Sequence, residues 1–115
     1  MRSIRISHIV LSTKDLADVL YEHLRSYDDK PLLLKTFARM AKKYSACGSR
    51  KNGGDLGFME PHTAAPELLR AAQQAQILEV CGPVQTQFGY HIFIITEEEA
   101  MSDTDIDGIN MPSLR

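Results

Sequence analysis

Residues 81–97 read CGPVQTQFGYHIFIITE, and the class of fold is decided on this stretch. Gly82-Pro83 turns the chain, Val84 and Thr86 make a brief strand on alternate positions, and Gln87 to Tyr90 carry the next turn. His91 to Thr96 is a continuous apolar run with the length and β-branched content of a buried strand. At the other end of the chain, Arg2 to Leu11 alternates. Ile4, Ile6, His8 and Val10 fall on one side, and Arg5, Ser7, Ile9 and Leu11 on the other, which is the period of a strand.

Helical spacing fills the space between. Ser12 or Thr13 is placed to cap a helix that runs through Ser26, with Asp15 and Asp18 in its first turn and Leu16, Val19, Leu20, His23 and Leu24 on one stripe. SYDDK and Pro31 open a second helix, in which Leu33, Phe37, Met40, Ala41 and Tyr44 share a stripe while Lys35, Arg39, Lys42 and Lys43 lie off it. SACGSRKNGGDLG, residues 45–57, holds four of the seven glycines and must be a tight excursion of backbone. Asp55 to Met59 reads as a short strand, and Pro66 starts a further helix through about Gln76.

Composition sets the bounds. A chain of 115 residues is one domain, and with 43% hydrophobic residues it has one modest core. The formal charge of −2 is a sum of unlike parts: +3 over residues 1–96 and −5 over EEEAMSDTDIDGINMPSLR. That acidic segment has no apolar period and is expected to be a disordered tail, so the expected division is 1–97 for the domain and 98–115 for the tail. The near-neutral balance argues against nucleic acid as the main partner. No run approaches the ~20 apolar residues of a spanning helix, and the N-terminus does not read as a signal peptide. Two cysteines, Cys47 and Cys81, suggest neither a disulfide scaffold nor zinc, so a reduced cytoplasmic protein without metal or cofactor is expected.

Taken singly, the chemistry-bearing residues have ordinary readings. His8 and His91 are strand histidines, Cys47 is a thiol in a glycine-rich loop, and Gly53-Gly54 is a tight turn that lacks the rest of a phosphate loop. His62 reads as a loop residue and His23 as a helix flank.

Together they form a pattern. SHIVLS, then LLLKTFARMAKKYSACGSRKNGGDLGFM, then CGPVQTQFGYHIFIITE resembles the parvulin-type peptidyl-prolyl isomerases across residues 4–97. That family carries His followed by aliphatic residues on a strand, a helix ending F-x-x-x-A-x-x-Y-S, then G-G-D-L-G, and a closing G-P-V-x-T-x-F-G-Y-H-I. The resemblance implies an α+β fold of order β-α-α-α-β-α-β-β, with a four-stranded antiparallel sheet wrapped by helices. It adds a short third helix near Ala46 to Arg50 and makes the first and last strands central neighbours.

It also implies a site. His8, Cys47 and His91 would be the polar centre, with Thr86 in the supporting hydrogen-bond network and Cys47 acting through polarity and not as a covalent nucleophile. Met59, Ala64, Leu68 and Phe88 would form the proline pocket, with Phe58 able to substitute for Met59. Ala64 stands where the family has Met, and Leu68 where it has Phe, so the proline grip is expected to be weakened or reshaped, with activity lowered or preference shifted toward bulkier neighbours. Phospho-specific relatives carry an Arg-rich loop after the first strand. Here STKDLADVL offers Lys14 beside Asp15 and Asp18, so phosphate specificity is not expected, although Arg50 and Lys51 could contact an acidic residue before proline.

The implied function is a monomeric peptidyl-prolyl cis-trans isomerase acting on proline-containing segments of client proteins, with no nucleic acid or membrane partner. A non-catalytic proline-peptide binding module or holdase using the same groove is the alternative. A Cys47–His91 hydrolase is a third reading, weakened because no third orienting residue accompanies the pair.

Overall fold

The computed structural model describes residues 3–59 and 65–99. The elements run β1 (Ser3–Leu11), α1 (Lys14–Arg25), α2 (Lys30–Tyr44), a 3-10 helix (Gly48–Asn52), β2 (Asp55–Phe58), α3 (Pro66–Gln74), β3 (Val80–Thr86) and β4 (Gly89–Glu99). The four strands form one antiparallel sheet in the order β2-β1-β4-β3. The expected α+β architecture stands, and its third helix is the single 3-10 segment after Cys47.

Local chemistry sets most boundaries. Thr13 Oγ1 accepts the Leu16 N–H at 3.3 Å and starts α1. The Asp29 carboxylate does the same for Leu32 at the start of α2, with Pro31 in the first turn. Such caps satisfy amides that have no helical partner.

Both central strands are covered on both faces, which is why β4 reads as an unbroken apolar run. On one face, Ile9, Leu11, Ile92 and Ile94 pack against Ala17, Leu20 and Leu24 of α1 and Leu33, Phe37 and Ala41 of α2. On the other, Ile4, Ile6, Phe93 and Ile95 pack against Leu68 and Ala72 of α3. His8 follows Ile4 and Ile6 at period two, and His91 precedes Phe93 and Ile95. The strand period therefore sets both histidines on the α3 face, at the end where α3's cover stops.

Two expectations are corrected. Gly82-Pro83 does not turn the chain before a brief strand. β3 already begins at Val80, and the pair sits inside it at a register shift between Cys81 and Val84. Such bulges are where strands admit Gly and Pro. Gly82 has φ +120°, and a side chain there would meet the His91 carbonyl. The expected Gln87–Tyr90 turn is there, confined to Gln87-Phe88, since Thr86 pairs with Gly89. Nor does the ordered chain end at Glu97: β4 continues to Glu99, paired with Ser3 to Arg5. Acidic sequence became strand because Arg5 lies between Glu97, at 2.7 Å, and Asp55, and this pairing holds the Asp55 carboxyl below the usual carboxylate range. Residues 100–115, the rest of the expected tail, lie outside the described residues.

Gly54 ties the loop to the strand. Its carbonyl accepts the His8 N–H at 2.9 Å, its φ is +88°, and an added Cβ would run into the His8 backbone. Gly48 has open space around the same point. We therefore expect Gly54→Ala to destabilise the fold by about 2 kcal/mol or more, from left-handed strain plus the clash. Gly48→Ala should stay within about 0.5 kcal/mol. Urea unfolding of the two variants measures the contrast, and equal midpoints would contradict this account of the loop.

Candidate active site

The histidines that the strand period places on one face meet there. His8 Nδ1 and His91 Nδ1 are 3.1 Å apart, with ring centroids 5.1 Å apart. On the far side of the second ring, His91 Nε2 lies 2.7 Å from Thr86 Oγ1, which also accepts the Phe88 N–H at 3.1 Å. All three side chains are buried.

Thr86 Oγ1 has two lone pairs and one proton, so while accepting the Phe88 N–H it can meet His91 Nε2 as acceptor or as donor. In the second arrangement the threonine hydroxyl donates to His91 Nε2. His91 is then protonated on Nδ1 and donates to His8 Nδ1. That leaves His8 protonated on Nε2, an atom that is buried and has no hydrogen-bond partner among the described residues. This arrangement gives every proton in the Thr86–His91–His8 series an acceptor except the last, on the ring that lines the cleft.

Both rings are held neutral. Burial, with a smaller contribution from the neighbouring imidazole, lowers His8 to about 4. Burial also lowers His91, while Glu67 in the first turn of α3 pulls the other way. A cation on His8 would lose hydration with no carboxylate to offset it, and on His91 the loss outweighs the pull of Glu67.

A cleft of about 330 Å³ lies over the pair. Its floor is His8, His91 and Val10; Leu68 and Ala65 wall it from the α3 side, and Phe88 from the β3–β4 turn. Cys47, Ala46 and Leu56 complete it. The loop that brings Cys47 here is pinned by Ser45, a buried residue at the end of α2. Ser45 Oγ accepts the Val10 N–H at 3.0 Å and the Cys47 N–H at 3.3 Å, and Ala46 N–H donates to the Val10 carbonyl at 2.8 Å. The end of α2 thus takes the place of a strand along this part of β1.

Of the residues expected to form the site, the structure brings together His8, Cys47, His91, Thr86, Leu68 and Phe88. Met59 does not line the cleft. Its N–H donates to the Ile4 carbonyl and its side chain packs against the α3-side core. Phe58 is exposed on the edge strand opposite Arg5, also away from the cleft. The short loop gives β2 a bulge between Ile6 and Ser7, and Leu56, not its aromatic neighbours, takes the lining position. Arg50 and Lys51 are exposed at the end of the 3-10 helix, and neither lines the cleft. Ala64 and His62 lie outside the described residues. Sequence reading missed Leu56, Ala65 and Ser45. The signals for Ser45 were its place as the last residue of F-x-x-x-A-x-x-Y-S and its position directly after a helical stripe, two before Cys47.

Two smaller points bear on chemistry. Lys14 Nζ is bonded to Asp18 at 2.8 Å, so the one cation after β1 is already paired. Cys47 makes no hydrogen bond to either histidine among the described residues, and both nitrogens of His91 are occupied, so the Cys47–His91 nucleophile–base pair is not assembled.

Comparison with known proteins agrees with this geometry. The family model described as "Rotamase: PPIC-type PPIASE domain" matches residues 8–97. The chain is 37% identical over 97 residues to the foldase protein PrsA of Geobacillus sp. (strain WCH70), covering 84% of this chain and 33% of that protein. Among solved structures it is similar to PrsA from Bacillus anthracis, with TM-score 0.78, 30% identity, and coverage of 90% of this chain and 45% of that one. It is also similar to the parvulin of Nitrosopumilus maritimus, with TM-score 0.67, 31% identity, and coverage of 83% and 96%. The chain spans about a third of the foldase's length, and nearly all of the small parvulin. With the match running from the first cleft histidine to Glu97 in the central strand β4, this chain belongs to the PpiC-type, or parvulin, peptidyl-prolyl isomerase family.

Proposed function

We propose that the chain is a peptidyl-prolyl cis-trans isomerase acting on X-Pro bonds of extended client polypeptides, by a non-covalent mechanism and without phosphate specificity. The observation that carries this reading is the neutral Thr86–His91–His8 series ending in an unpartnered buried His8 Nε2 beneath an apolar cleft.

The physical task is rotation about an amide. Resonance makes the barrier ~18–20 kcal/mol, and the uncatalysed X-Pro bond turns over in tens to hundreds of seconds. In the twisted state the nitrogen recovers its lone pair and the carbonyl oxygen loses part of its negative charge. Water on the carbonyl therefore favours the planar form, and a donor at the nitrogen favours the twisted one. Leu68, Phe88, Leu56 and Ala65 would hold the proline and strip water from the carbonyl. His8, fixed by His91 and Thr86, would present an oriented donor that needs no reorganisation as rotation proceeds. Each ~1.4 kcal/mol of preference for the twisted state is about tenfold in rate. Cys47, hydrogen-bonded to neither histidine among the described residues, adds a polarisable wall. Leu68 in a wall expected to be aromatic leaves a wider cleft, which favours a loose grip and a bulky residue before proline.

A holdase reading is supported by the same cleft and by the similarity to foldases. In both readings the partners are client polypeptides, the chain acts as a monomer, and no nucleic acid or membrane is required. A reducing compartment such as the cytoplasm is part of the proposal, supported by Cys47 and Cys81 both being free thiols.

Two tests separate these readings. In a protease-coupled X-Pro assay, Thr86→Val should lower kcat/KM by roughly tenfold, because His91 loses the partner that fixes its tautomer. The peptide Kd should change less than twofold. Wild-type chain that binds the peptide and leaves its isomerisation rate unchanged would select the holdase. The second test is pH. A histidine whose folded pKa lies below its unfolded value of about 6.5 contributes stability above that value and loses it as pH falls towards the folded one. With His8 at about 4, stability should decline between pH 6.5 and 4 by on the order of 3 kcal/mol. The slope should be reduced in His8→Phe. Activity should stay level from pH 6 to 8, and an activity that followed a group titrating near 6.5 would contradict neutral, buried imidazoles.

A further inference from the structure

The stretch from Lys30 to Gly54 contains seven cations and no carboxylate. Four of them, Lys35, Arg39, Lys42 and Lys43, stand at i, i+4, i+7 and i+8 of α2, which puts them on one face over two turns. All four are exposed, and the opposite face, with Leu33, Phe37 and Ala41, is buried on the sheet. None of the four forms an ion pair among the described residues, whereas Arg5, Lys14 and Arg25 each do. Like charges at i, i+4 oppose each other on a helix, so Lys35–Arg39 and Arg39–Lys43 work against α2 in the isolated chain. This face looks away from the cleft, across the sheet, and has no part in the chemistry described above.

We propose that this face of α2 is a docking site for an acidic polypeptide segment, separate from the cleft and carried by the same client. Its shape favours an extended chain over a broad anionic surface. The stripe is one helix wide, and its neighbours carry charges that are already paired. On α1, Asp18 is paired with Lys14 and Glu22 with Arg25. On the other side, a groove of about 240 Å³ separates Leu34 and Ala38 from Asp55 and Glu97, both paired with Arg5. The unpaired positive charge is thus a single narrow line, the width of one acidic strand. A client held here and at the cleft would gain from the second contact being intramolecular.

The inference rests on the reading of this chain as one that handles client polypeptides, and the test keeps the two apart. Binding of a fluorescent oligo-glutamate peptide to the full chain is measured by anisotropy, beside turnover of a neutral X-Pro peptide. The wild type should bind oligo-glutamate with an affinity that falls about tenfold between 20 and 200 mM salt, as screening shortens. A variant with Lys35→Gln, Arg39→Gln, Lys42→Gln and Lys43→Gln should lose that binding by about tenfold, yet turn over the neutral X-Pro peptide like the wild type. An X-Pro peptide joined to an acidic tract through a flexible spacer should then gain over the neutral one in the wild type only. Absence of salt-sensitive oligo-glutamate binding, unchanged binding in the four-site variant, or tighter binding of single-stranded DNA or anionic vesicles would overturn the proposal. If the neutral X-Pro peptide is not turned over while oligo-glutamate binding behaves as expected, the isomerase reading fails and the docking face stands.

Discussion

The pairing of β1 with β4 is the constraint on which everything else depends. It joins nine residue pairs from opposite ends of the domain, Ser3 with Glu99 through Leu11 with Tyr90. Closing so long a loop costs entropy that grows only slowly with its length, and the repayment is the burial of Ile4, Ile6, Ile9, Leu11, Ile92, Phe93, Ile94 and Ile95 on the two faces of the sheet. The register of this ladder has a second consequence. It places Val10 opposite His91 and His8 opposite Phe93, so the two imidazoles are diagonal neighbours on one face. A one-residue slip would send the histidines to opposite faces.

The polar chain inside the cleft follows from that ladder. Burying three polar side chains is costly unless they satisfy one another. Here the hairpin turn supplies the anchor: the Phe88 amide fixes the Thr86 hydroxyl, which fixes His91, which fixes His8. Each link removes a rotational choice from the next and couples its tautomer to its neighbour's. The result is an oriented neutral group in an apolar setting, the arrangement that isomerisation of an amide calls for. Its cost is carried by a core already assembled on the other side of the same strands.

Much of the fold was legible because local rules and tertiary outcome agree. Thr13 and Asp29 cap the helices, Pro31 and Pro66 sit in first turns, and the α2 stripe is buried at Leu33, Phe37 and Ala41. The α1 stripe holds only at Leu20 and Leu24: Ala17 completes the buried face, while Leu16, Val19 and His23 are exposed. The reading failed where a distant partner changed the meaning of a residue. Gly82-Pro83 has the local chemistry of a turn, but Val80 and Cys81 pair with β4 on one side of it and Val84 on the other, so a bulge absorbs it. Glu97 to Glu99 have the composition of a solvated tail, but Arg5 receives one of them and β1 pairs with all three.

The sequence by itself determined the order of elements, the faces on which the histidines stand, and the polar set His8, Cys47, Thr86 and His91, because strand period and family spacing are properties of the chain alone. Only the tertiary structure decided which apolar side chains wall the cleft. Met59 and Phe58 lie within three residues of Leu56, and all are apolar, so nothing local ranks them. The bulge in β2 and the path of the Ser45–Gly54 loop choose Leu56 and turn the others elsewhere. The tertiary structure also decided what each imidazole nitrogen meets, Thr86 and His8 for His91 and the buried end of the cleft for His8 Nε2, since these partners are set in space and not by neighbours along the chain.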